Sequence, residues 1–393
     1  MRRIGIIGGG QLGRMAIEEA GKYEARVSIL ASDWPCPAGD LADEIVLGAL
    51  TDRAAIRELA AVSDVVSCEI EHVDVASLRE LEAEGKTVIP SADVLAIIQD
   101  KAAQKRLWDE SGIPTSAWRL VEGDPPSGEA LSQAADSIGG FPVVQKARRG
   151  GYDGRGVAVL ASASDGILSC ASFVERKVEL SKELAVIVAR GEDGSVAAYP
   201  CVEMVFDSRA NLCDSVLAPA RVDEATRKRA AELALACVQA LDKASRRAAG
   251  SSPTAGAAGV FGVEMFLAAS GEILVNEVAP RPHNSGHYSI EACASSQFDQ
   301  YLRILLGLPL GSPELLRPAM MVNLLGEPGG SGEPRYEGLG PALAVPGVAV
   351  HLYGKREVRP FRKMGHLTAI GGTVEEAIAR ASAARDLVRV LAS

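Results

Sequence analysis

The sequence predicts a chain that is α/β at its N-terminus and α+β beyond it, on three observations. Short apolar strands and amphipathic helices alternate between residues 4 and 95, a pattern that folds as a parallel sheet with helices on both faces. A glycine cluster, Gly8-Gly-Gly-Gln-Leu-Gly13, falls between the first strand and the first helix, where α/β sheets place phosphate-binding turns. Far downstream, 262–268 and 272–278 read as a β-hairpin turned at Ser270-Gly271, which brings antiparallel sheet into the second half.

In order, 4–7 is a strand, 11–21 a helix and 26–30 a second strand; 52–61 is a helix, 65–69 a strand, 75–84 a helix and 88–90 a strand. Asp100 caps a helix over 101–111 that Gly112 ends. An Asp oxygen accepts from the free N–H groups of a first turn, and glycine takes the left-handed conformation past the last. The unit from about 113 to 175 is loop-rich and carries Gly150-Gly-Tyr-Asp-Gly-Arg-Gly156 between two short strands. Residues 183–200 form a hairpin turned by Gly191–Gly194, and a helix runs from about Glu224 to Leu241. The Ala, Gly, Ser and Arg of 243–259 read as a mobile surface insertion without chemistry. A helix near 289–306 precedes a tail, 315–393, of short strands closed by an amphipathic helix whose Thr373 and Glu376 fit a capping box.

A length of 393 residues suffices for two or three domains. The formal net charge of -10, with no long Lys/Arg run, argues against non-specific nucleic-acid binding. No apolar run approaches the roughly 20 residues of a membrane span, and glycines interrupt the apolar N-terminal strand at residue 8, so neither membrane insertion nor a signal peptide is expected. The cysteines at 36, 68, 170, 201, 213, 237 and 293 contain no C-x-x-C; most read as small buried hydrophobes in a reducing cytoplasm, against a thiol nucleophile for which none has an obvious local base.

Centring the hairpin on Ser270-Gly271 pairs Ala269 with Glu272 and, counting outward, Glu264 with Glu277. Directly opposed carboxylates destabilise a sheet, and a hard divalent cation bound by oxygen offsets the repulsion; the alternative is two solvated acids on an exposed face. The following Ala279-Pro-Arg-Pro-His-Asn-Ser-Gly-His287 is too polar for an ordinary exit loop. The glycine cluster, with Asp33 twenty residues past Gly13, fits a dinucleotide fingerprint. A glycine-rich helix N-terminus receives any phosphate, so a nicotinamide cofactor and another phosphorylated ligand stand level.

Alternation along 141–148 puts Val144, Lys146 and Arg148 on one face beside four glycines in seven residues, which suits a lid closing on polyphosphate through main-chain donors, against a solvated hairpin tip. Phe173-Val-Glu-Arg-Lys-Val178, with Glu183 eight residues past Glu175, offers backbone for an adenine edge and a carboxylate for a ribose, though an exposed strand end explains it as well. Cys68-Glu-Ile-Glu-His-Val73 lies at a strand's C-terminal end, where open α/β sheets bind ligands. The basic stretch 352–366 suits a phosphate monoester or is a solvated loop. His72 and His351 stand singly and read as structural.

With these motifs in order, the chain resembles the ATP-grasp ligases, and among them the 5-(carboxyamino)imidazole ribonucleotide synthetases of purine biosynthesis. The match runs nearly end to end, through GGGQLGRM, EIEHV, QDKAAQK, QKARRGGYDGRG, GVFGVEMF, NEVAPRPHNSGHY, MVNLLG, LHLYGK and RPFRKMGH. GGYDGRG together with APRPHNSGH is specific, whereas the glycine fingerprint alone is not. The resemblance implies an ATP-grasp fold with an N-terminal Rossmann-like domain (1–98), a small lid subdomain (99–175) and a C-terminal mixed α/β domain (176–393) ending in a strand–helix segment (315–393). It implies Lys101 and Lys146 on the phosphates of ATP and a lid of Gly151, Tyr152, Asp153, Gly154, Arg155, Gly156 and Val157. Glu175, Arg176, Lys177 and Val178 would face adenine, Glu183 the ribose, and Asn276 and Glu277 the nucleotide. Mg2+ would sit on Glu264 and Glu277. Gln11, Leu12, Glu69, Asp153 and Arg155 would hold 5-aminoimidazole ribonucleotide, with Lys355 and Arg362 or Lys363 on its phosphate.

Bicarbonate would be the second substrate, with Arg281, His283, Asp153 and Tyr152 at the reacting groups. A cytoplasmic homodimer, without nucleic acid or membrane, is the expected state. Two features depart from the pattern. Ala279 stands where many ATP-grasp enzymes carry a metal-binding Asn, and 243–258 is longer than the family leads one to expect. A formate-dependent glycinamide ribotide transformylase is the nearest rival, and a nicotinamide-dependent oxidoreductase the rival from another class.

Overall fold

The computed structural model describes residues 1–151, 156–207, 212–249 and 256–393. Tyr152, Asp153, Gly154 and Arg155 therefore lie outside the described residues. At the N-terminus β1 (Ile4–Ile7), β2 (Val27–Ala31), β3 (Glu44–Leu47), β4 (Val65–Cys68) and β5 (Thr87–Val88) form a parallel sheet in the order β3-β2-β1-β4-β5. Helices α1 (Gln11–Ala20), α2 (Arg53–Val62) and α3 (Val75–Ala83) make the connections. The strand order reverses about β1, so the loops leaving β1 and β4 face each other across a switch point, where open α/β sheets bind ligands. Strand β3 and helix α4 (Ala92–Ile98) were not anticipated. At the sheet edge only Val46 of β3 is buried, so its apolar signal is weak.

Helix α5 (Lys101–Glu110) starts as expected, with Asp100 accepting from the N–H groups of Ala102 and Ala103. A four-stranded antiparallel sheet follows: β6 (Trp118–Leu120), β7 (Val143–Ala147), β8 (Val157–Leu160) and β9 (Ser172–Arg176), in the order β6-β9-β7-β8. Helix α6 (Gly128–Asp136) closes one face through Leu131, Ala134 and Ala135, packed with Val143, Leu160 and Val174.

The third sheet is the largest. Strands β10 (Leu180–Arg190), β11 (Val196–Ala198), β12 (Val202–Asp207), β13 (Leu212–Ala218), β14 (Gly259–Ala268) and β15 (Ile273–Ala279) belong to it. Helix α7 (Glu224–Ala249) packs on β10, α4 and α5. The expectation of a mobile insertion from 243 fails over its first part: 243–249 continue the helix. Ser245 is buried, Ala-rich sequence favours helix, and Asp242 accepts from Arg190, Arg246 and the Ala257 N–H, tying the helix to the segment that enters β14.

The expected helix near 289–306 is broken into α8 (Ser289–Ala292) and α9 (Gln297–Leu306). Cys293 turns extended and bridges Leu315, and Ser296 caps the new start through the Asp299 N–H. The tail adds β16 (Ala319–Leu325), β17 (Pro334–Glu337), α10 (Leu339–Leu343), β18 (Val348–Leu352), β19 (Lys363–Ile370), α11 (Val374–Leu387) and β20 (Arg389–Ala392). Because β16 pairs with β13, β16, β19 and β18 extend the large sheet. Thr373 caps α11 through the Glu376 N–H, while the Glu376 carboxylate takes the Gly372 N–H at 2.6 Å in place of the expected N-cap N–H. No helix among the described residues is long and apolar enough to cross a membrane.

Candidate active site

A cavity of about 280 Å³ opens between the parallel sheet, the four-stranded sheet and the large sheet, with walls from the β4 exit (Glu71, His72), the start of α5 (Lys101), Gly150–Gly151, the β14–β15 hairpin and Lys363. The hairpin brings Glu264 opposite Glu277. It does so by a different route from the one the count assumed. The turn holds three residues, Ala269–Gly271, closed by the Ala268 N–H to Glu272 O bond at 2.9 Å, with Gly271 at φ +86°. Three-residue hairpin loops place glycine at such a left-handed position. The register therefore runs Leu267↔Ile273 to Met265↔Val275, and a bulge at Asn276 shifts it back to Glu264↔Glu277. The bulge gives Asn276 its own direction, toward Lys146 Nζ at 2.8 Å.

Glu277 pairs with Lys101 Nζ, and Glu264 Oε1 takes His283 Nε2 at 3.0 Å. The Ser285 N–H donates to His283 Nδ1, which places the ring proton on Nε2. Gly262 makes this possible: a Cβ there would stand 2.6 Å from His283 Cβ. Burial pushes Glu264 up, but His283, Lys101 and Lys363 hold it below the usual carboxylate range. Burial, with Lys146 nearby, pushes Lys101 down to about 8. Among the described residues no three His, Cys, Asp or Glu side chains gather to hold a metal. The two carboxylates, already balanced by cation and donor, suit an ion that keeps water and phosphate as its other ligands, which is how Mg2+ is usually held.

Lys146 belongs to a buried charge cluster. Its Nζ pairs with Glu175, whose other oxygen takes Lys105 Nζ and Ser116 Oγ, each at 2.9 Å. Burial pushes Glu175 up, yet the two lysines hold it down at about 2. The Glu175 carboxylate is thus turned inward and leaves β9 only its backbone to offer a base. Arg176 and Lys177 are exposed and Val178 is half-buried. Glu183, on β10, is pushed up to about 7 by burial and by Glu264. Gly156 takes φ +74°, and Val157 on β8 pairs with Lys146.

The two glutamates at the β4 exit do separate work. Glu69 is buried and accepts from the Gly10 and Gly13 N–H groups. Its carboxylate occupies the α1 N-terminus, where the fingerprint reading put a phosphate. The glycines make room for it: a Cβ at Gly8 would lie 2.3 Å from Glu69 Cγ. Glu71 grips Arg281 through Nε at 2.7 Å and Nη2 at 3.4 Å. Against burial, Arg281 holds Glu71 down at about 2.

Of the ribotide set, Gln11, Lys355 and Lys363 come together. Lys355 Nζ donates to Gln11 Oε1 at 2.7 Å and to Lys363 O at 2.5 Å. Leu12 does not join them, since its side chain packs in the core. Arg362 turns to Glu357 O at 2.6 Å. Sequence reasoning missed Lys105, although its i+4 spacing from Lys101 on one helix face was a usable signal. It also missed Asn323, which exchanges two hydrogen bonds with Asn284 of the cavity wall. The two lie 39 residues apart, and no local pattern joins them.

Comparisons with known proteins agree along the chain. Residues 1–99 match the ribonucleotide synthetase preATP-grasp domain, 106–298 the ATP-grasp domain, and 319–380 the phosphoribosylaminoimidazole carboxylase C-terminal domain. The crystal structure of N5-carboxyaminoimidazole ribonucleotide synthetase from Thermotoga maritima superposes with a TM-score of 0.87 at 44% identity, covering 100% of both chains. The Aspergillus clavatus N5-carboxyaminoimidazole synthase in complex with ADP and 5-aminoimidazole ribonucleotide gives 0.86 at 35% identity over 98% of both. The chloroplastic phosphoribosylaminoimidazole carboxylase of Vigna aconitifolia is 38% identical over 382 residues, 94% of this chain, which spans 64% of that protein's length.

Proposed function

We propose that this chain, which belongs to the N5-carboxyaminoimidazole ribonucleotide synthase family of ATP-grasp enzymes, carboxylates the exocyclic amine of 5-aminoimidazole ribonucleotide. ATP and bicarbonate are consumed, and N5-carboxyaminoimidazole ribonucleotide, ADP and phosphate are formed. The supporting observation is the cavity itself, which joins the Glu264–Glu277 hairpin, Lys101, the Glu71–Arg281 pair and Lys363.

A bicarbonate oxygen attacks the γ-phosphorus as ADP leaves, giving carboxyphosphate. Lys101 and Lys146 hold the phosphates and stabilise the charge that develops on the transferred group. Glu264 and Glu277 hold Mg2+, which when bound supplies further neutralisation of phosphate charge. Arg281, fixed by Glu71, stands at the acyl phosphate. Carboxyphosphate releases carbon dioxide and phosphate, the ribotide amine captures the carbon dioxide, and the amine proton goes to Asp153, or to His283 Nε2 once that nitrogen has passed its own proton to Glu264. The glycine lid excludes water from a labile intermediate. Gln11, Lys355 and Lys363 bind the ribotide, and the protein works as a homodimer.

The test is phosphate release from MgATP with 5-aminoimidazole ribonucleotide and bicarbonate, set against glycinamide ribotide and formate. Stimulation by the first pair alone is expected. Stimulation by the second alone overturns the assignment.

A further inference from the structure

Three imidazoles stack behind the cavity. His351 and His366 face each other across the β18–β19 ladder, with ring centroids 4.6 Å apart and planes within 15°. His287, at the end of the loop that carries His283, lies on the other side of His366 at 4.9 Å. His287 and His366 are fully buried, while His351 is fastened to Glu291 of α8 at 2.6 Å. None of these rings has a part in the phosphoryl chemistry.

Their protonation follows from their partners. Gln297 is oriented by the backbone of His283, donating to its O at 2.8 Å and accepting from its N–H at 2.9 Å. The Gln297 NH2 therefore faces His287 Nδ1 at 2.9 Å, so that nitrogen accepts and the ring is neutral. Burial and the neighbouring rings push His366 well below the ordinary histidine value, while Glu291 outweighs burial and lifts His351 above it. Charge is thus favoured on the ring beside Glu291 and disfavoured on the two fully buried ones.

The middle ring reaches toward the substrate. His366 Nδ1 meets Tyr353 OH at 3.0 Å, and the buried Tyr353 ring lies 5.4 Å beneath Lys355 Nζ. Gly354, at φ +68°, provides the turn between Tyr353 and Lys355, and a Cβ there would approach Arg14 Nη1 to 2.9 Å. One contact chain therefore runs from His283 on the Glu264 carboxylate, through Gln297, His287, His366 and Tyr353, to Lys355 on Gln11.

We propose that the His287–His366–Tyr353 stack positions Lys355 for the ribotide and ties that position to the loop carrying His283. The proposal rests on the reading of Lys355 as a ribotide-binding residue. Tyr353→Phe keeps the ring and removes the hydroxyl bonded to His366. It should raise the KM for 5-aminoimidazole ribonucleotide about 3- to 10-fold, the effect of one lost hydrogen bond, and leave the KM for MgATP within about twofold. His366→Gln should act in the same direction, with thermal unfolding recorded to separate misfolding from mispositioning. Lys355→Ala, measured alongside, separates the two layers. If Lys355→Ala raises the ribotide KM and a folded Tyr353→Phe does not, the stack has no positioning role. If Lys355→Ala leaves the ribotide KM unchanged, the reading of Lys355 falls and the proposal falls with it.

Discussion

Lys105→Met removes one of the two cations that share the buried Glu175 carboxylate. Lys105 Nζ lies 2.9 Å from Glu175 Oε2, and the side chains are 2% and 3% exposed. At an effective permittivity of about 20 the attraction lost is about 6 kcal/mol gross. Most of that is returned, because Met needs no desolvation and Glu175 keeps Lys146 and Ser116. Thr115 keeps its bond to Val275 O as well. A net stability loss of about 2 kcal/mol is expected, the scale of one charge-assisted hydrogen bond. The larger effect is electrostatic. The cluster of Lys105, Lys146 and Glu175 falls from one net positive charge to none, and Lys146 is drawn wholly toward Glu175 just where a triphosphate must compete for it. The KM for MgATP should rise about 10-fold, equivalent to about 1.4 kcal/mol, with the ribotide KM unchanged. Initial rates of phosphate release against MgATP measure the first effect and the unfolding midpoint the second. A folded variant whose MgATP KM stays within twofold of wild type would refute the idea that Lys105 tunes Lys146.

Three further substitutions probe the remaining parts. Glu277→Gln should lower kcat by about 100-fold or more through loss of a metal carboxylate, with ribotide binding by calorimetry nearly intact; equal loss of both counts against separate sites. Gly262→Ala places a methyl 2.6 Å from His283 Cβ and should push His283 off Glu264, lowering kcat about 10-fold or more with little change in ribotide KM; wild-type kcat would show that His283 need not hold that bond. Glu183, raised to about 7 from 4.5, binds its proton more tightly in the folded than in the unfolded chain. Its contribution is complete below about pH 4.5 and is lost as pH rises through 7. Ligand-free Glu183→Gln should therefore be more stable than wild type at pH 8, by at most about 3 kcal/mol, with the gap closing near pH 5. A gap of the same size at both pH values would sink that account.

The parallel sheet was legible because β1, β2 and β4 are buried along their whole lengths, and a run of apolar residues between turn signals is a local property. The α5 start was legible for a similar reason, since Asp100 and the N–H groups it caps lie within three residues. The two signals that misled were also local. Gly8–Gly13 has the spacing of a phosphate turn, but the occupant of the turn is decided by Glu69, 56 residues past Gly13. The composition of 243–249 looked like linker because it runs on as one segment with the Gly-, Ser- and Pro-bearing sequence that follows it at 250–256. What settles the matter is Asp242 of α7, whose partners include Arg190 at the end of strand β10. Contacts across such separations leave no periodicity behind, and neither did the stack that joins His287 to His366.

The hairpin shows how a local count succeeds for an incomplete reason. Opposing Glu264 and Glu277 requires the separation of the two strands to come out right at the metal end, whatever happens at the tip. The expected two-residue turn and the observed three-residue turn differ by one position, which alone would slip Glu277 to the opposite face. The bulge at Asn276 supplies the compensating residue. A bulge re-aims the side chain it carries, and here that side chain accepts from Lys146. The two irregularities are thus one device: the wider turn makes an extra residue necessary, and the extra residue becomes the contact between the metal hairpin and the phosphate lysine. Shortening the turn by deleting Ala269 should therefore disturb Lys146 as much as the carboxylates, raising the MgATP KM about 10-fold along with any loss in kcat. A loss confined to kcat, read from the same phosphate-release curves, would show that turn and bulge are independent.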